Sequence, residues 1–234
     1  MGNIPGKIIA IIPARGGSKG IPRKNVKLFL GHPLLSHTIQ AAIQSQRVDA
    51  VYVSTEDDEI AEVAEQSGAH TIRRPDHLAV DTATTESAIE HALEYLAKQS
   101  IFPELLVLLQ ATSPLRPAGA IDRAIDIFYE NDCDSLLSIS ATHRFFWQTR
   151  DKVAVPNYDF LHRPRRQDIH PDDIRYLENG SLYIFTRQHF QDTGNRLGGK
   201  IGYIEFPESC SHEIDTHLDW IILETIAREL KLVP

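Results

Sequence analysis

Between Lys7 and Asn25 the chain reads KIIAIIPARGGSKGIPRKN. An apolar run, Ile8 to Ile12, ends at Pro13. Three glycines (Gly16, Gly17, Gly20) and four cations (Arg15, Lys19, Arg23, Lys24) follow. Glycine-rich backbone beside Arg and Lys is the chemistry of phosphate binding. Arg15 and Lys19, four apart in a loop, can converge on one anion, the guanidinium as a bidentate fork and the ammonium as a mobile point charge. The net charge is −8, yet no Asp or Glu precedes Asp49, and seven Lys or Arg lie in that acid-free segment. A solvated face usually interleaves both signs, so this field serves an anion. The spacing is neither the dinucleotide GxGxxG nor the P-loop GxxxxGK[ST]. Arg23 and Lys27 read as solvent-exposed.

A second constellation lies near the carboxyl end. Glu213 and Asp215 are two apart, and in an extended segment residues i and i+2 share a face. Two carboxylates on one face repel unless a cation sits between them, and Mg²⁺ commonly takes one or two carboxylates plus substrate phosphate oxygens. Asp215 can also serve as N-cap of the following helix, with Asp219 facing solvent in its first turn. Gln110 ends the apolar run LLVLL, where a strand meets the binding edge of an open α/β sheet. Arg74 pairs with a ligand or with Asp76 or Asp81. The histidines, His70, His77, His143, His162 and His212 among them, form no ligand-spaced pair, and no GxSxG elbow occurs.

The elements that must position these groups alternate. Strands are expected at 7–13, 50–54, 70–73, 104–110 and 134–140, and helices at 33–46, 57–67, 84–99 and 117–130. Thr55 with Asp58 resembles a capping box, and Gly68 suits a helix stop. Strands separated by helices imply βαβ units and a parallel sheet. The rhythm breaks at 143–178, rich in Arg, His, Asp, Pro and aromatics, which reads as an inserted subdomain, arm or lid. Its Arg163, Arg165 and Arg166 form a basic cluster. Strands at 181–186 and 200–206 and a helix at 216–230 close the chain. The 234 residues fit one α/β domain with this insertion. No apolar run spans a bilayer, the start MGNIPGK lacks a secretory h-region, and Gly6 argues against myristoylation at Gly2. Cys133 and Cys210 lack metal-ligand spacing and suit free thiols in a reducing cytoplasm. The acidic balance argues against nucleic-acid or membrane binding.

PARGGSKGIPRKN resembles the nucleotide-binding signature of the acylneuraminate (CMP-sialic acid) cytidylyltransferase family. VSTEDDEIAEVAEQSGA (53–69), RRPDHLAVDTATT (73–85), LLQATSPLR (108–116), RRQD and ENGSLYIF (165–185) and EIDTHLDW (213–220) resemble further family segments in order. The resemblance implies a Rossmann-like nucleotidyltransferase fold: α/β, three-layer, mostly parallel, with a dimerisation insertion. It implies CTP and a nonulosonic acid as substrates. The sugar's anomeric hydroxyl attacks the α-phosphate, pyrophosphate leaves, and a CMP-sugar forms for lipopolysaccharide or capsule biosynthesis. Arg15, Lys19, Lys24 and Asn25 match phosphate-contacting positions, with Lys19 meeting the α-phosphate under attack. Arg74 and Thr85 match positions near base and ribose. Gln110, Arg166, Gln167, Asn179 and Tyr183 resemble the sugar-binding and dimer-contact set, and Asp215 and Glu213 the Mg²⁺ ligands, both Asp in many members; the longer Glu213 binds through water or not at all, so the resemblance makes Asp215 the firmer ligand. A homodimer with shared sites follows. N-acetylneuraminic and legionaminic acids lead as acceptors. Pseudaminic acid, an eight-carbon ulosonic acid, a GTP-dependent relative and a non-catalytic nucleotide-binding regulator are the alternatives.

Overall fold

The computed structural model describes residues 7–231; residues 1–6, on which the leader and Gly2 readings rest, lie outside them. Strand β1 (Ile8–Pro13) is buried from Ile8 through Ile12. The chain continues through the short pair β2 (Leu28–Phe29) and β3 (His32–Pro33), then α1 (Leu34–Ile43), β4 (Ala50–Thr55), α2 (Asp58–Gln66) and β5 (His70–Arg73). A 3₁₀ turn at Asp76–Leu78 precedes α3 (Thr85–Lys98), β6 (Leu105–Leu109), α4 (Ala120–Glu130) and β7 (Ser135–Thr142). The hairpin β8 (Trp147–Arg150) and β9 (Val153–Pro156) leads to β10 (Arg175–Thr186), α5 (Arg187–Thr193), β11 (Ile201–Glu205) and α6 (His217–Leu230).

Seven strands form one sheet in the order β11-β7-β10-β6-β1-β4-β5. Only β10 runs against its neighbours, β6 and β7; the other pairings are parallel. The apolar runs are unbroken because both faces are covered. Ile8, Ala10 and Ile12 face one layer with Leu35, Ile39, Ile60, Ile121 and Ile125. Ile9 and Ile11 face the other with Ile89, Leu96, Phe185 and Phe190. This period-two division of β1 makes the expected three layers. A third cluster, Ile21, Phe29, Leu34, Leu115, Ile214, Trp220 and Leu223, packs the loop after β1 against the segment entering α6. It brings the two chemical constellations together.

The expected elements are present with small shifts at their ends, and Gly68, at φ +90°, stands just past α2. The cap of α2 differs. Asp57, not Thr55, accepts from the Ile60 N–H, and the Thr55 hydroxyl accepts from the Asp57 N–H, propping the cap. The expected box partner Asp58 instead ion-pairs with Arg73. At α6 the cap is Thr216, in a reciprocal box with Asp219. Asp219 also accepts from the Asp215 N–H, so Asp215 is not the cap and Asp219 does not simply face solvent. After β7 ends at Thr142 the chain rejoins the large sheet at Arg175, before the expected 181. Arg175–Glu178 pairs antiparallel with Ile139–Thr142. The charged and exposed residues of that stretch hide its strand character. A register shift follows between Glu178 and Tyr183.

Candidate active site

The loop after β1 leaves the carboxyl edge of the sheet and is held there by its own polar groups. The Asn25 side-chain amide donates to the Arg15 carbonyl at 3.0 Å. Lys24, nearly buried, donates to the Ile214 carbonyl at 2.5 Å and pairs with Asp215 Oδ1 at 3.1 Å. Lys24 is thus the bolt between the cationic loop and the carboxylate segment. Gly20 permits the approach, since a methyl there would lie 1.9 Å from the Asp215 carbonyl oxygen. The Gly16 N–H donates to Glu56 Oε1 at 2.7 Å.

A cavity of about 430 Å³ opens beside this loop. It is lined by Arg15, Lys19, Lys24, Asn25, Arg74, Thr85, Gln110 and Asp215, together with Asp81. Eight residues singled out from the sequence therefore converge on one hollow. Thr84 caps α3 by accepting from the Ser87 N–H, so the positive end of a 14-residue helix also faces it. Arg74 is buried and pairs with Glu56 Oε2 at 3.3 Å, neither with Asp76 nor with Asp81. Burial lowers its pKa against the pull of Glu56, and its Nε has no protein partner.

Asp81 does something the sequence reading missed. Its carboxylate bridges Arg15 Nη2 at 2.9 Å and Lys19 Nζ at 2.7 Å, and Lys19 holds its pKa below the usual carboxylate range. The two cations converge as expected, and in this structure an internal carboxylate is what they converge on. Glu56 was missed too, although it directly follows a strand at the active edge. Arg23 and Lys27 are not merely solvated: Arg23 forks onto Asp57 and Glu59, and the Lys27 ammonium sits 4.9 Å above the Trp220 ring.

The remaining predicted residues stand apart from the cavity lining. Asn179 is buried, its Oδ1 accepting from the Ser138 hydroxyl at 2.5 Å and its amide donating to Ser211. Tyr183 is buried, donates to Glu178 and lies under the Arg196 guanidinium; burial raises its pKa first, Glu178 next. Within this chain both hold the register shift of β10. Arg166 and Gln167 sit on an exposed 3₁₀ turn between β9 and β10.

Glu213 and Asp215 share the segment before α6, but their carboxylates meet different neighbours. Asp215 is exposed on the cavity rim beside Lys24. Glu213 packs on Gly180, which at φ +65° leaves no room for a Cβ: one would lie 1.7 Å from Glu213 Oε1. Burial raises the Glu213 pKa, and Asp215 raises it further. Among the described residues no group of three or more His, Cys, Asp or Glu is placed to hold a metal ion. Asp215 fits a cation that draws its other ligands from phosphate and water.

A sequence profile described as cytidylyltransferase matches residues 9–228. This chain belongs to the cytidylyltransferase family. N-acylneuraminate cytidylyltransferase of Oncorhynchus mykiss is 36% identical over 222 residues, covering 93% of this chain and 49% of that protein. The protein of the same name from Escherichia coli O18:K1:H7 is 32% identical over 225 residues, covering 95% and 52%. The chain thus spans about half the length of these relatives. CMP:2-keto-3-deoxy-manno-octonic acid synthetase, solved with CTP, superposes with a TM-score of 0.69 at 17% identity, over 96% of this chain and 99% of that one. A 4-diphosphocytidyl-2C-methyl-D-erythritol synthase from Anaerococcus prevotii gives 0.67 at 14% identity, over 95% and 99%. These two show the shared nucleotidyltransferase fold.

Proposed function

We propose that this member of the cytidylyltransferase family transfers CMP from CTP to the anomeric hydroxyl of a sialic-acid-type nonulosonic acid, releasing pyrophosphate. The observation that carries the reading is the convergence of Arg15, Lys19, Lys24, Arg74, Thr85, Gln110 and Asp215 on one cavity at the active edge. Both closely similar relatives described above are named for N-acylneuraminate, which favours N-acetylneuraminic or legionaminic acid as acceptor.

The triphosphate takes the place of the Asp81 carboxylate between Arg15 and Lys19. Those cations, with the α3 amino terminus, stabilise the charge that builds on the phosphates as the sugar oxygen attacks. The bond from the anomeric oxygen to the α-phosphorus forms, and the bond from that phosphorus to the bridging oxygen breaks. The electron pair departs with pyrophosphate, and the hydroxyl proton passes to solvent. Arg74, with an unpartnered Nε, orients the nucleoside end. The Gln110 side chain, at the end of β6, meets the acceptor.

Asp215, with Glu213 behind it, would hold Mg²⁺, which when bound supplies neutralising charge to the phosphates. Arg166 and Gln167 lie on an arm with exposed Trp147, Phe160 and Leu161, which supports a homodimer in which the arm completes the partner's acceptor site. The buried free thiols of Cys133 and Cys210 accord with a cytoplasmic setting, and no helix among the described residues is long and apolar enough to cross a membrane.

The test is pyrophosphate release with Mg²⁺, crossing CTP, GTP, UTP and ATP against N-acetylneuraminic, legionaminic, pseudaminic and eight-carbon ulosonic acids. Release with CTP and a nonulosonic acid is expected. Silence across the grid with CTP still bound overturns the reading.

A further inference from the structure

Arg116 is a half-buried cation with no anion among the described residues. Its Nη1 donates to the Thr38 hydroxyl at 2.9 Å; its Nη2 donates to the Gln110 carbonyl at 2.6 Å and the Ser181 carbonyl at 2.9 Å. Among the described residues no carboxylate pairs with it, and its Nε is shut off from solvent without a partner. Part of the residue borders a separate groove along α1. Burial alone pulls the guanidinium pKa down to about 9. A fold that only needed these carbonyls satisfied could have used neutral donors. A desolvated charge is costly unless it is compensated, and among the described residues three aimed oxygens compensate this one.

The oxygens lie where the frame of the cavity is set. Gln110 is the first residue past β6, and its side chain is the acceptor-side group of the cavity. Ser181 lies in the β10 register shift, next to Gly180, whose backbone presses on Glu213. The Gln110 N–H reaches the Ser181 carbonyl at only 3.4 Å, so the ladder between β6 and β10 is loosening here. Arg116 spans the loosening. Thr38, on the inner face of α1, anchors the other arm of the fork.

We propose that Arg116 is a positioning residue for the acceptor: its fork fixes the spacing of Gln110 and Ser181 and so aims the Gln110 side chain and seats Gly180 on Glu213. The inference rests on the proposed cytidylyl transfer, in which Gln110 meets the sugar. An ammonium carries the same charge but cannot span three oxygens in one plane, so geometry and charge are separable.

The experiment compares Arg116→Lys, Arg116→Met and Thr38→Val with wild type in steady-state pyrophosphate release, CTP titration and thermal unfolding. Thr38→Val removes one acceptor of the fork together with the hydroxyl's own 3.3 Å bond to the Gln110 carbonyl, keeps the Arg116 charge and nearly keeps the volume. Arg116→Lys is expected to lower kcat/KM for the sugar by about tenfold to 10²-fold, as misaimed reacting groups do, with the CTP Kd within about twofold of wild type. Thr38→Val is expected to lower the sugar kcat/KM too, by a few-fold. Should Arg116→Met fail to fold, Arg116→Lys and Thr38→Val still decide the question. The proposal is overturned if folded Arg116→Lys keeps sugar kcat/KM within about threefold of wild type. It is equally overturned if CTP affinity and sugar kinetics fall in parallel, the mark of a purely structural role. A wild-type protein silent on the whole substrate grid would instead sink the cytidylyl-transfer reading, a separate failure.

Discussion

Gly20 gives the sharpest test of how the site is assembled. Its φ lies outside the left-handed region, so alanine suits the backbone there and the effect of Gly20→Ala comes from contact alone. The added methyl would sit 1.9 Å from the Asp215 carbonyl oxygen. Carbon–oxygen contacts begin near about 3.3 Å, so the loop and the segment before α6 must part by roughly 1.4 Å. Both partners are backbone, and the cluster of Ile21, Ile214 and Trp220 packs directly beside them, so neither yields without disturbing that core. The Lys24 Nζ–Ile214 carbonyl contact, now 2.5 Å, would stretch to about 3.9 Å, beyond hydrogen-bond range. A nearly buried ammonium would lose the shorter of its two contacts, the other being Asp215, a cost of about 1–3 kcal/mol. Asp215 would move off the cavity rim by a similar distance, and displacements of about 1 Å in a reacting constellation cost roughly 10²-fold in rate. Gly17→Ala is the control, because a methyl there meets nothing within 4 Å. The expected outcome is a fall of about 10²-fold in pyrophosphate release and a lower Tm for Gly20→Ala, with Gly17→Ala like wild type. Gly20→Ala turning over within about threefold of wild type would refute the claim that this close approach builds the site.

Asp81→Asn removes the internal carboxylate that competes with the triphosphate for Arg15 and Lys19; CTP titration at low salt is expected to show a few-fold lower Kd, the gain shrinking as salt rises. Asp57→Ala removes the α2 cap and is expected to cost about 1–2 kcal/mol at neutral pH, little of it from the solvent-screened Arg23 pair. The Arg23 guanidinium holds the Asp57 carboxyl below its ordinary value, so its pH-linked stability is present above the unfolded pKa of about 3.9 and is lost as pH falls through the lower folded value. Thermal scans should therefore show the Tm gap between Asp57→Ala and wild type narrowing as pH falls below about 4. On the proposed homodimer, charge at the apolar arm surface, as in the double change Phe160→Asp with Leu161→Asp, is expected to give a monomer in sedimentation and a raised sugar KM; a sedimenting species unchanged from wild type would refute this interface.

What the sequence by itself determined is the local chemistry. An apolar run emptying into RGGSKG marks a strand and a cationic, glycine-rich loop, because each depends only on neighbours in the chain. The acid-free first 48 residues marked the sign of the field, and Glu213 with Asp215 marked a second, acidic segment. The residues proposed to meet the phosphates line one cavity because their motifs sit at the carboxyl ends of parallel strands, where the topology collects them. Tertiary structure alone decided the partners. Arg74 pairs with Glu56, and Arg15 with Lys19 closes on Asp81, because long side chains choose among acids that the sheet order, not the sequence distance, brings near. Arg116 is one letter in a recognisable segment until β6 and β10 diverge and leave two carbonyls for it to hold. Asn179 and Tyr183 face internal partners because β10 shifts register between Glu178 and Tyr183, and a slip of that kind redirects side chains in a way that no local pattern records. The polar stretch Arg175–Glu178 becomes strand for a related reason: its pairing is supplied by β7, more than thirty residues away in the chain.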